Sequence, residues 1–63
     1  MKTLNIKKGH IVNVTYNGSE EFAEVLNVSK YENYTRVLTL VMTDRKPVKH
    51  TFDLQDILSI HSN

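Results

Sequence analysis

The sequence predicts an all-β fold: a single small domain of five short strands with one 3₁₀ turn before the last. Three observations carry this reading. Val37–Met42 (VLTLVM) is an unbroken apolar and β-branched run with polar residues on both sides. It is too short for a free-standing helix and suits a strand covered on both faces. Asp44-Arg45-Lys46-Pro47 ends the run, because Pro47 cannot donate to a sheet ladder and the charges belong in water. Beyond it, Val48, His50 and Phe52 alternate with Lys49, Thr51 and Asp53, the period of a half-buried strand. Thr35 to Asp56 is therefore a β-hairpin whose first strand is central, and the rest of the chain folds over it.

The elements follow in order. Met1 to Lys8 is an N-terminal arm, and Gly9 marks a turn before the first strand. His10 to Tyr16 places Val12, Val14 and Tyr16 on one face of a strand, with Ile11, Asn13 and Thr15 on the other. Asn17-Gly18 is a strong hairpin signal, since a type I′ turn needs positive φ at both central residues. Glu20 to Ser29 fits a helical stripe through Phe22, Val25 and Leu26, or a strand face through Phe22, Glu24, Leu26 and Val28. The upstream Asn-Gly favours a strand, with a bulge or bend expected near Ala23. Lys30 to Tyr34 is a polar tip carrying two tyrosines. Asp53-Leu54-Gln55-Asp56 reads as one 3₁₀ turn with Asp53 as N-cap. Ile57, Leu58 and Ile60 form a short last strand, and His61-Ser62-Asn63 is expected to fray. The expected core is Val12, Val14, Leu26, Val37, Leu38, Leu40, Phe52, Ile57 and Ile60, and Leu40→Ala is expected to cost ~2–5 kcal/mol.

Length and composition bound the function. A chain of 63 residues is one domain, burying only ~60% of its unfolded surface. Hydrophobic residues at 40% and charged residues at 24% are globular proportions. There is no cysteine, which excludes a disulfide framework or thiolate zinc site. No apolar run approaches membrane-spanning length and no signal-peptide core is present, so no membrane partner is expected and the default location is the cytoplasm. A net charge of +1 means that any nucleic-acid reading must rest on local clustering.

The strand order resembles that of small SH3-like and Sm-like β-barrels over roughly Gly9 to His61. The resemblance is carried by the Gly-His-Ile-Val-Asn-Val opening, the Asn17-Gly18 turn, the long central strand and the Phe52–Ile60 ending. That ending is also similar to YolD-like bacterial proteins and small phage proteins. The resemblance implies a five-stranded SH3-like barrel, a fold that hosts nucleic-acid binders, peptide binders and inhibitors alike. The Sm-type glycine and aspartate pattern for RNA contact is absent, so those contacts do not carry over.

The residues that could do chemistry are few. His10, His50 and His61 lack metal-ligand spacing. Glu20-Glu21 and Asp53 with Asp56 are paired carboxylates, but no cleft is expected to seat a substrate between them. No nucleophile–base arrangement or phosphate-cradling glycine loop is present. Four Asn-x-Ser/Thr matches, at Asn13, Asn17, Asn27 and Asn33, reflect an Asn-rich composition in a chain without a signal peptide. An enzyme is therefore not expected, and neither cofactor nor metal is implied.

The candidate partner-binding residues are Lys30, Tyr31, Tyr34, Arg36, Arg45, Lys46 and Lys49, at the tip and around the next hairpin turn. The tyrosines offer flat faces for a base or a partner side chain. Lysines can equally protect edge strands, and tyrosines close a barrel mouth. The expected function is a small interaction module, of a phage- or prophage-type regulator or inhibitor kind, binding a host protein. The alternative is a nucleic-acid-binding barrel using the same Lys, Arg and Tyr side chains. Unpaired strand edges further lead to an expected homodimer.

Overall fold

The computed structural model describes residues 5–62. Met1–Leu4 of the arm and Asn63 lie outside the described residues. The rest forms one sheet of five antiparallel strands: β1 (Ile11–Tyr16), β2 (Ser19–Lys30), β3 (Thr35–Met42), β4 (Val48–Asp53) and β5 (Ile57–Ser62). A 3₁₀ turn at Leu54–Asp56 precedes β5, and no α-helix occurs among the described residues. The ladder runs β4-β3-β2-β1-β5. Short turns make β1 to β4 a meander, and the 3₁₀ turn sends β5 back to the far side of β1. The two end strands, β4 and β5, are not hydrogen-bonded to each other. No described helix is long and apolar enough to cross a membrane.

Local chemistry sets the turns and the curvature. Asn17 (φ 52°) and Gly18 (φ 79°) are both left-handed, and Tyr16 pairs with Ser19 across them, as the sequence predicts. Gly9 also has positive φ (95°), and its N–H donates to the Val25 carbonyl at 2.9 Å. Val25 N–H donates in turn to the His10 carbonyl at 2.8 Å, so the chain is tied to β2 before β1 begins. The bulge expected near Ala23 lies slightly further on. Val25 pairs with Thr39 and Asn27 with Leu38, leaving Leu26 as the extra residue. That residue reverses the side-chain parity: Ala23 and Val25 point inward before it and Val28 after it. Two further register shifts bend β5 against β1. The curl brings the end of β1 to β4, where the Tyr16 and His50 rings meet edge to face at 5.3 Å.

The concave face holds the core: Ile6, Val12, Val14, Ala23, Val25, Val37, Val41, Phe52 and Ile57, with Thr39 the buried polar residue among them. Of the expected core, Val12, Val14, Val37, Phe52 and Ile57 are buried. Leu26, Leu38 and Leu40 are only partly buried and lie outside the core cluster, which corrects that expectation, whereas Ile60 is partly buried and packs against the cluster. Apolar residues on both faces of VLTLVM hide the parity of β3, and the structure turns Val37, Thr39 and Val41 inward. Leu38 and Leu40 consequently lie on the outer face. Thr39 is accommodated because its hydroxyl donates to the His50 carbonyl at 2.8 Å, which satisfies the buried group. Ile6 comes from the arm and joins the core, 8% exposed.

The end of the chain departs from expectation in two respects. Asp53 occupies the N-cap position of the 3₁₀ turn, but its side chain makes no capping bond. β5 continues through His61 and Ser62, where fraying was expected, because Ser62 pairs with Ile11. Asn13 Nδ2 also ties β1 to β5 by donating to Ser59 Oγ at 2.7 Å.

Candidate functional site

The site begins at the tip between β2 and β3. The Tyr31 N–H donates to the Tyr34 carbonyl at 2.8 Å, closing a tight loop with Glu32 and Asn33 at its apex. That closure stacks the two tyrosine rings, 4.7 Å apart and 22° from parallel. Both remain open to solvent, at 53% for Tyr31 and 47% for Tyr34. The first turn of β3 adds the Arg36 guanidinium, whose carbon lies 5.3 Å from the Tyr34 ring centroid. Across the β3–β4 ladder Arg36 pairs with Asp53, and its Nε lies 3.8 Å from Asp53 Oδ1.

The result is a continuous stack, Tyr31–Tyr34–Arg36, anchored by a carboxylate. An exposed ion pair of this kind is worth roughly 0–1 kcal/mol. Its main effect is orientation: it holds Arg36 over the ring, where a cation–π contact adds ~0.5–1 kcal/mol. The carboxylate that sequence reasoning assigns to a cap is instead spent on the stack. The hairpin register alone could have revealed it, since a ladder that pairs Val41 with Val48 also places Arg36 opposite Asp53.

A shallow groove of about 690 Å³ lies between the tip and the 3₁₀ turn. Tyr31, Tyr34 and Leu54 supply its apolar surface, and Glu32, Asp53 and Gln55 its polar groups. Asp53 and Gln55 also line a second groove of about 600 Å³. This one follows the open seam between β4 and β5, past His50, Phe52, Asp56 and Leu58. The tip and the seam therefore share one surface. It combines aromatic faces with the carboxylates of Glu32, Asp53 and Asp56, and it runs beside an unpaired strand edge.

The remaining candidate residues lie elsewhere. Lys30 sits at the base of the tip, where it lines a separate hollow with Asn5, Ile6, Lys7 and Leu54. Arg45 and Lys46 occupy the β3–β4 turn, which is held by Thr43 Oγ1 donating to the Lys46 carbonyl at 2.7 Å. The length of β3, from Thr35 to Met42, separates that turn from the tyrosines by roughly 25 Å at ~3.3 Å per residue. Lys49 projects from the outer face of β4, opposite Leu40. The structure thus brings Tyr31, Tyr34 and Arg36 together with Lys30 at the base of the tip, opposite Thr35, and leaves Arg45, Lys46 and Lys49 apart from them.

Each histidine has a local packing role. His50 packs edge to face against Phe52 at 4.6 Å as well as against Tyr16. His61 lies on Phe22 with centroids 4.5 Å apart, and His10 Nδ1 accepts from the Lys7 N–H at 3.2 Å. Among the described residues no three His, Asp or Glu side chains converge as a metal site. Glu20 and Glu21 are neighbours on a strand and so point to opposite faces, which separates that carboxylate pair. No family model, curated protein or solved structure matches this chain. The site is therefore read from its own geometry.

Proposed function

We propose that the protein is a non-enzymatic interaction module that binds a protein partner through the tyrosine tip and the adjoining seam. The observation that carries this reading is the exposed Tyr31–Tyr34–Arg36 stack anchored by Asp53. Tyr and Arg are the side chains that dominate binding energy at protein interfaces, and a pre-stacked pair loses little rotamer freedom on binding. The partner is best met by an extended segment laid along the free edge of β4, with an apolar or flat side chain on Tyr34 and basic groups near Glu32, Asp53 and Asp56. The five antiparallel strands, the 3₁₀ turn before β5 and the return of β5 to β1 support assigning the sheet to the SH3-like barrel class, with the seam as its open side. Small size and an Asn- and Lys-rich composition support a regulator or inhibitor of phage or prophage type acting on a host protein.

The nucleic-acid alternative uses the same tyrosines and needs a basic track beside them. Arg36 and Lys30 lie at the tip but Arg45, Lys46 and Lys49 do not continue the track, and carboxylates border the tip, which favours the protein partner. One experiment separates the two readings. Wild type and Tyr34→Ala are each titrated with single-stranded and duplex oligonucleotides at low salt, and each is used in parallel to capture proteins from a bacterial lysate. Expected are no oligonucleotide binding at tens of micromolar protein, and a specific captured protein that Tyr34→Ala loses. Oligonucleotide binding that weakens steeply with salt, and by about 1–3 kcal/mol with Tyr34→Ala, would overturn the protein reading.

A further inference from the structure

The convex face of the sheet carries a second surface, independent of the tip. Inward-facing Val37, Thr39 and Val41 leave Leu38, Leu40 and Met42 as a ridge along the outside of β3. Phe22 lies beside Met42 on β2, and the two are 47% and 39% exposed. A soluble sheet of this size would ordinarily present polar residues along its outer face. The charges flanking the ridge are ordered. Lys49 on β4 pairs with Leu40, and Leu40 pairs with Glu24 on β2, so the row across the sheet reads cation, leucine, carboxylate. Neither Lys49 nor Glu24 forms an ion pair with another described residue.

We propose that this face binds a second copy of the chain, forming a symmetric dimer on the Leu38–Leu40–Met42 ridge. Neighbouring strands are ~4.8 Å apart, so Lys49 and Glu24 flank Leu40 at about equal distances. A half-turn about an axis running along β3, between two facing sheets, lays each β4 over the β2 of the other copy. The leucines then stack on their own equivalents, and Lys49 meets Glu24 of the second copy twice, once on each side of the axis. The next row obeys the same rule: Thr51 and Asn27 flank Leu38, and the half-turn brings those two polar side chains together. Such self-complementarity is the requirement of an isologous interface, and it singles out a second copy over an unrelated partner. The ridge ends where the β2 bulge bends the sheet and Arg36 turns to Tyr34, so the tyrosine site stays open.

The test uses charge reversal in trans. Wild type is expected to sediment as a dimer at high micromolar concentration. Lys49→Glu and Glu24→Lys each place like charges together at both contacts, and each alone is expected to weaken dimerisation by about tenfold or more. Mixed one to one, they are expected to form a heterodimer, because each variant supplies the charge that the other lacks. An interaction within one chain could not give that result. Met42→Glu, at an exposed position, is expected to be monomeric with an unchanged far-ultraviolet spectrum. A monomeric wild type would overturn the proposal. So would a dimer that tolerates all three variants, or single-charge variants that fail to associate when mixed.

Discussion

Two adjacent truncations on β3 test the packing. Val41 is fully buried, and Leu40, one residue before it, is only partly buried on the opposite face. Val41→Ala removes two carbons from the interior, a transfer loss of ~1.6 kcal/mol at ~0.8 per carbon. The cavity left in a close-packed core raises the expected cost to ~2–3 kcal/mol. Leu40→Ala removes three carbons that are already partly in water and leaves no enclosed cavity, so its expected cost is the transfer loss alone, about 1.5–2 kcal/mol. In a domain of this size 1 kcal/mol moves Tm by about 4–8 °C, so the smaller Val41 truncation should give the larger drop in Tm. The assay is thermal and urea unfolding followed by circular dichroism at low micromolar protein, where association on the outer face does not contribute. An equal or greater loss for Leu40→Ala would refute the assignment of Val41 to the interior and restore the sequence-based expectation of ~2–5 kcal/mol at Leu40.

Two further substitutions probe single features. Gly18→Ala keeps open space around the new Cβ but forces an L-residue to φ +79°, so a loss of about 1–2 kcal/mol is expected, read as a lower urea midpoint with an unchanged slope. An unaltered midpoint would mean that the turn is not left-handed at this residue. Thr39→Val removes the hydroxyl that donates to the His50 carbonyl, and a loss of roughly 0.5–1.5 kcal/mol is expected on denaturant unfolding. A variant as stable as wild type would show that this buried bond contributes nothing net.

Most of the elements follow from rules that act over a few residues and were legible in the chain, β2 and the end of β5 less so. Asn17-Gly18 dictates a two-residue turn, Pro47 and its charged neighbours end β3, and the alternation from Val48 to Asp53 makes β4 (with Phe52 inward). The tyrosine tip was legible in the same way, as two aromatics in a polar loop between strands. Which side faces the core was legible for β1 and β4, but for β2 and β3 it depends on packing. β3 has apolar residues on both faces, so nothing within the strand fixes its parity, which is set by packing against the rest of the sheet. β2 changes parity midway, and its bulge depends on how it matches β3 rather than on its own residues. Ile6 joins the core from the arm through a contact remote in sequence, which no local periodicity encodes. The same holds for the candidate site. Arg36 and Asp53 meet because of the hairpin register. Arg45 and Lys46 lie at the opposite end of β3 because strand length, not spacing in the chain, sets their distance from Tyr34. Side-chain alternation and turn geometry are local physics, whereas facing, register and the sharing of one surface are properties of the packed sheet.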